Sequence, residues 1–449
     1  MNELLELLDR IVARARPGEA VEAYGIDETD TTVKAYGGEV ESLSSARTRG
    51  VGVRVIDGGR VGYAYTADLS EAVLTETLDE ARANADVAAP DEANVLPRGS
   101  GPLRDLPALW DPAFDGITTG DKVGAAIALE AAVKGAGPPV KGIDSATYGD
   151  AVRIAAIAST AGLRGAYRRC DAHVFVEAIA EANGSSTNAY GFDIGRTLSD
   201  LDIEAAAAEA VERAARLLGG RKPSSAKLPV LLDPFAAASF LGVLAGALNG
   251  EAVQKGRSLF AGRLGEQVAE EHLELVDDGL LVVGPAAAPW DGEGVRTGRT
   301  TLIEAGRLTS WLHNTYTAAK QGVASTGNAR RAGFMSPPGV RPSNLYFVPG
   351  DDGPAALLAR AGTAFYCQHV MGIHSGANPA TGDFSVGASG LMVRGGEFAE
   401  PVREAVIAGT IPGMLSGLVA VGSDLRFLPF GGGMGGATLL IEGMTLAGE

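Results

Sequence analysis

TRGVGVRVIDGGRVGYAYTADLS, residues 48–70, sets the fold class. Its β-branched and aromatic residues fall into two short stretches that read as successive strands. Between them Asp57-Gly58-Gly59 is the sharpest hairpin signal in the chain, because a tight hairpin needs residues that tolerate positive φ. Asp68-Leu69-Ser70 then caps a helix expected to run to about Ala85. Upstream, EAVEAYGI (19–26) and TTVKAYGGEVES (31–42) read as further strands. Before them Leu4, Leu8, Ile11 and Ala15 share one helical face, with Leu5 and Val12 beside it and Glu6, Asp9, Arg10 and Arg14 opposite. Downstream, a Pro- and Asp-rich connector (Ala89 to Asp115) leads to a predicted helix from Thr119 to Gly135 and to strands at 150–162 and 173–184. LDIEAAAAEAVERAARLLGG (201–220) is almost pure helix former and stops at Gly219-Gly220. Arg-Lys-Pro-Ser-Ser follows, which places a domain boundary near Lys222. The expectation is an α/β protein with mixed sheets and two domains: an α/β unit over 1–221 and a mixed-sheet unit over 222–449.

The chain has 449 residues, long enough for cores that need no staples. Against 38 basic side chains stand 55 acidic ones, a net charge of −17, which argues against nucleic acid or an anionic membrane as partner. Glycine, at 62 residues, is about twice its usual share of roughly 7%, as tight turns between strands require. Cys170 and Cys367 match no paired metal-ligand spacing and no disulfide framework. The opening MNELLELLDRIVARAR carries acids among its leucines and no export signal. The most apolar stretch, PFAAASFLGVLAGALNG (234–250), has the length and glycine content of a buried helix and is too short to span a bilayer. A soluble, cytoplasmic protein is expected.

Five histidines are present, with no HExxH pair among them. His173, His272 and His313 read as ordinary hydrogen-bonded side chains. Cys367, His369 and His374 form the one local cluster: on a strand Cys367 and His369 would share a face, and a turn at Gly372 could bring His374 near. Their spacing is not a recurrent zinc pattern, and no general base is fixed beside them, so a buried cysteine with two strand histidines is the simpler reading. In the following loop Ser375, Asn378, Thr381 and Asp383 could approach a ligand, or could simply turn the chain. FGGGMGGAT (430–438) is a poor phosphate cradle, because no Lys-Ser or Lys-Thr follows it. GASGL (387–391) sits in strand-like sequence, not at a nucleophile elbow.

RGVGVRVIDGGRVGYAYTADLS (49–70), KGRSLFAGRLGEQVAEEHLELVDDG (255–279), TTLIEAGRLTSWLHNTYTA (300–318) and GANPATGDFSVGASGLMVRGGE (376–397) together resemble the TldD/PmbA family in order, spacing and total length. The resemblance covers almost the whole chain. It implies a two-domain fold and a cytoplasmic heterodimeric metalloprotease, in which TldD carries the metal and PmbA, also called TldE, does not. In TldD-type chains an HExxxH helix lies a fixed distance before the segment matching KGRSLFAG. Counted back from Phe260 without gaps, its three functional positions fall on Leu241, Gly242 and Gly246, none of which can ligate a metal or accept a proton. The late cysteine ligand of TldD-type chains is also missing, since no cysteine follows Cys367. The N-x-x-T-G-D-F-S core, Asn378 to Ser385, looks like the PmbA/TldE version of its strand pair.

The resemblance therefore implies a subunit with no catalytic residues and no cofactor of its own. It would bind unfolded peptide through His374, Ser375, Asn378, Thr381 and Asp383, beside a TldD-like, HExxxH-bearing partner that holds a divalent metal such as zinc. Two alternatives stand beside it. One is an autonomous metallohydrolase using Cys367, His369 and His374; the other is a homodimeric peptide-binding protein of a peptide-tailoring pathway.

Overall fold

The computed structural model describes residues 1–99, 103, 105–430 and 432–448. Part of the Ala89 to Asp115 connector, and Gly431 of the glycine string, lie outside them. Helix α1 (Asn2–Val12) buries Leu4, Leu5, Leu7, Leu8 and Ile11. Three strands follow, β1 (Ala20–Tyr36), β2 (Glu39–Asp57) and β3 (Arg60–Thr66), then helix α2 (Glu71–Val87). The two short strands expected over 19–42 are instead β1 and the start of β2. Asp27 and Glu28, which read as turn residues, stay in the ladder because cross-strand arginines pair with them. Arg47 donates two bonds to Asp27 at 2.8 and 2.7 Å, and Arg153 donates to Glu28 at 2.8 Å. The hairpins fall at Gly37-Gly38 and Gly58-Gly59, all four with positive φ.

Helix α3 (Thr119–Gly135) opens on a reciprocal cap between Thr118 and Asp121. After it come β4 (Val140–Ser159), β5 (Arg164–Ala182), β6 (Ser185–Gly195) and helix α4 (Ile203–Arg216). The six strands make one antiparallel sheet in the order β3-β2-β1-β4-β5-β6. On one face Val21 and Val53 pack with α1 and α2, and Val33, Tyr148 and Val174 pack with α3 and α4. The period of two sends Tyr24 and Ile26 to the other face, where they meet Ala287, Ala288 and Trp290 from the second half of the chain.

The second half begins with β7 (Ala226–Leu232) and runs directly into helix α5 (Pro234–Ala247). Strand β7 pairs in parallel with Ala364–Met371 and antiparallel with Leu439–Ala447. The hairpin Asp383–Arg394 and Glu397–Thr410 extends this sheet and returns to Leu439–Ala447, so five strands close on themselves. A second mixed sheet runs through Leu275–Asp278, Arg299–Glu304 and Leu345–Phe347 to Met434–Gly436. The glycine string is explained here as packing: a Cβ at Gly436 would fall 1.7 Å from the Pro234 carbonyl oxygen, so only glycine lets α5 lie on that strand.

A buried ionic network ties the halves together. Arg54 donates to Glu22 at 2.7 Å and to Glu293 at 2.8 Å, and Arg331 also pairs with Glu22. Among the described residues no helix is long and apolar enough to cross a membrane.

Candidate functional site

The site is built on α5. Its N-cap, Asp233, accepts from the Phe235 amide at 2.9 Å, with Pro234 in the first turn. The same buried carboxylate accepts from Arg213 of α4 at 2.6 Å and from the Tyr366 hydroxyl at 2.7 Å. Both ends of the pair are desolvated, which holds the start of α5 in one place. Further along, Leu241 is 1% exposed and belongs to the main core of the second half. Gly242 is exposed: outside its own stretch of helix, no atom of the described residues lies within 4 Å of where a Cβ would stand, and the corresponding position at Gly246 meets only Pro379, at 3.5 Å.

Gly242 and Gly246 face a cavity of about 790 Å³ between the first sheet and the second half. Arg153 and Arg169, cross-strand partners on β4 and β5, reach it from one side and Arg330 and Arg341 from the other. Among the described residues no carboxylate lines it. Arg169 is committed to the structure, donating to Asp171 at 2.7 Å, to the Ala287 carbonyl at 2.8 Å and to the Pro285 carbonyl at 2.7 Å. Arg330 donates to the Ala286 carbonyl at 3.0 Å and to the Ser343 hydroxyl at 2.6 Å, both neutral. Arg153, Arg169 and Pro285 also line an adjoining cavity of about 590 Å³ that extends towards His173 and Phe430.

The polar loop lies beside α5. Ile373–Gly376 is a single helical turn, and the side chains of His374, Ser375, Asn378, Thr381 and Asp383 are all exposed. Asn378 builds the turn: its amide donates to the Asp383 carbonyl at 2.9 Å and its side chain accepts from Ala380 at 2.9 Å. The Pro379 carbonyl accepts from the Leu259 amide at 3.4 Å, so the loop tip rests against the chain that follows α5.

The structure does not bring Cys367, His369 and His374 together. The strand register shifts between Cys367 and His369, and that bulge breaks the alternation on which a shared face depends. Cys367 is fully buried in the main core, where its thiol donates to the His369 carbonyl at 3.5 Å and burial pushes its pKa up. The His369 ring stands edge-on to Tyr190 of the first sheet, and burial, then Arg213, pushes its pKa down. His374 is exposed on the helical turn. Among the described residues no three His, Cys, Asp or Glu side chains gather to hold a metal ion.

Family models for the PmbA/TldA metallopeptidases match three stretches: domain 1 over residues 21–85, the central domain over 112–218 and the C-terminal domain over 225–448. The chain belongs to the TldD/PmbA family. It is 29% identical to the metalloprotease PmbA of Escherichia coli O157:H7, covering 89% of this chain and 86% of that one. A Thermotoga maritima crystal structure, described as a modulator of a DNA gyrase, superposes with a TM-score of 0.90 at 27% identity, covering 98% of this chain and 99% of that one. TldE from Thermococcus kodakarensis shares the fold over the full length of both chains, with a TM-score of 0.88 at 21% identity.

The TldD/PmbA family name implies a metal, and the residues of α5 do not fit one. Leu241 points into the core, Gly242 and Gly246 carry no donor atom, and the guanidinium groups across the cavity oppose a cation. Of the other histidines, His173 stands edge-on to Phe430, His313 Nδ1 lies 3.0 Å from the Thr317 hydroxyl, and His272 is exposed. Sequence reasoning did not find the arginines. Arg153 and Arg169 are joined only by strand register, and Arg330 and Arg341 lie in a stretch with no periodic signal.

Proposed function

We propose that this chain is the non-catalytic, PmbA/TldE-type subunit of a heterodimeric TldD/TldE metalloprotease. It encloses and binds unfolded peptide beside a TldD-like subunit whose HExxxH helix supplies a divalent metal such as zinc and the general base. One observation carries this reading: at the positions the family resemblance gives to ligands and base, α5 presents a buried leucine and two glycines beside a cavity. A helix emptied of donors but still flanked by a sizeable cleft has kept a binding surface without the chemistry. An extended peptide needs mainly a groove and unpaired backbone groups, which suits a subunit that selects flexible chains over folded ones.

Mixing experiments test it. The purified chain alone should leave an unfolded peptide intact, and addition of a TldD-like partner should bring cleavage together with a one-to-one complex on gel filtration. Cleavage by the isolated chain at the rate of the mixture would end the proposal.

A further inference from the structure

The arginine-lined cavity has a charge character opposite to that of the chain as a whole, whose net charge is −17. Its cations are not equally occupied. Arg169 spends its donors on Asp171 and two carbonyls, and Arg153 pairs with Glu28 while remaining 42% exposed. Arg330 bonds only to neutral oxygens, and its Nε is buried with no hydrogen-bond partner. The Arg341 side chain is exposed, and no hydrogen bond or ion pair engages it among the described residues. Two guanidinium groups with no hydrogen-bonded carboxylate among the described residues thus border a cavity, another wall of which, at Gly242 and Gly246, has no side chains. The first wall suits an oxyanion, because a guanidinium offers a planar pair of donors matched to a carboxylate. The second leaves room for a main chain to pass close to the α5 backbone. The neighbouring cavity shares Arg153, Arg169 and Pro285 with this one.

We propose that this cavity is a carboxylate-binding site that holds the C-terminal carboxylate of an extended peptide between Arg341 and Arg330, with the adjoining residues laid across Gly242 and Gly246. This deepens the proposed function and rests on it only for the peptide nature of the ligand. It makes the metal-free subunit the one that reads a free chain end.

The test is binding of a fluorescent unstructured peptide to the isolated full chain. The peptide is offered as the free acid and as the C-terminal amide, with inorganic phosphate as competitor. The free acid should bind about tenfold or more tightly than the amide, and Arg341→Ala should remove that difference while Arg360→Ala, at an exposed position on the helix Pro354–Ala361 and outside the cavity lining, keeps it. The Arg341 side chain is exposed and makes no hydrogen bond or ion pair among the described residues, so an unchanged melting temperature is expected and a loss of binding is interpretable. Equal binding of acid and amide, binding of neither, or an acid preference that survives Arg341→Ala would overturn the carboxylate site. So would phosphate binding that displaces neither peptide form selectively, since it would mark a free-oxyanion site. Cleavage by the chain mixed with its TldD-like partner is measured in parallel. If cleavage persists while the acid preference is absent, the subunit role stands and only the carboxylate site falls.

Discussion

Helices α4 and α5 are each fourteen residues long, each is capped by an aspartate, and they are joined by the Arg213–Asp233 ion pair, yet they meet their surroundings in opposite ways. Helix α4 buries Ala206, Ala207, Ala210 and Ala214 against the first sheet and turns Glu204 and Glu212 outward. Helix α5 has no charged residue and buries nine side chains, but the face it leaves open carries Gly242. A helix that only filled a core would be closed on that face, and one that met bulk water would show polar side chains there. The combination marks a surface kept bare next to a cleft.

The largest effect should come from breaking the link between the two helices. Asp233 is 2% exposed, holds the cap of α5 and accepts from Arg213 and Tyr366, so Asp233→Ala strands a buried guanidinium. A loss of about 3–5 kcal/mol is expected in urea denaturation, with Arg213→Ala close behind. A loss under about 1 kcal/mol for both would show that α5 is positioned by its apolar contacts alone.

The cavity side differs in its electrostatics, and pH exposes the difference. Where α4 gives its buried arginine a carboxylate partner, Arg330 leans on neutral oxygens and has Asp277 within electrostatic reach. Burial pushes the Asp277 carboxyl up to about 6, against the opposing pull of Asn328 and Arg330. Its folded pKa is thus raised above the unfolded value. The folded state keeps a proton that the unfolded chain releases, and this group's contribution falls as pH rises from about 4 to about 6, then levels off. The span is on the order of 3 kcal/mol. Asp277→Asn should flatten the stability profile over that window, and parallel profiles for the two proteins would refute the assignment.

How much of this the amino-acid order disclosed follows from where each signal resides. Helices α3 and α4 were legible because their caps, formers and stops are local, and α3 was expected at its observed bounds. The length of β1 was hidden because Asp27 to Asp30 spell a turn, and only partners on β2 and β4 keep them extended. That α5 carries Leu241, Gly242 and Gly246 at the offset the family resemblance points to is a one-dimensional fact of the sequence. The arginine cavity is not, because Arg153 and Arg341 are neighbours only across the packed halves. The bulge after Cys367 was hidden too, and it undid the one local cluster that spacing alone had suggested.

Two glycines give the finest contrast, because one packs against α5, the other lies within it, and alanine should act on them with opposite signs. At Gly436 the new methyl would meet the Pro234 carbonyl at 1.7 Å, a backbone atom that cannot step aside, so Gly436→Ala should cost about 1–3 kcal/mol. At Gly242 the methyl enters open space inside a regular helix, where alanine lowers the entropy of the unfolded chain and favours the helix, so Gly242→Ala should stabilise by about 0.5–1 kcal/mol. Thermal melts of the two variants measure both. The second result then bears on function: if the bare face of α5 is where a peptide main chain passes, a more stable protein should bind peptide less well. Stabilisation with peptide affinity unchanged would mean that Gly242 borders the cleft without touching what the cleft holds.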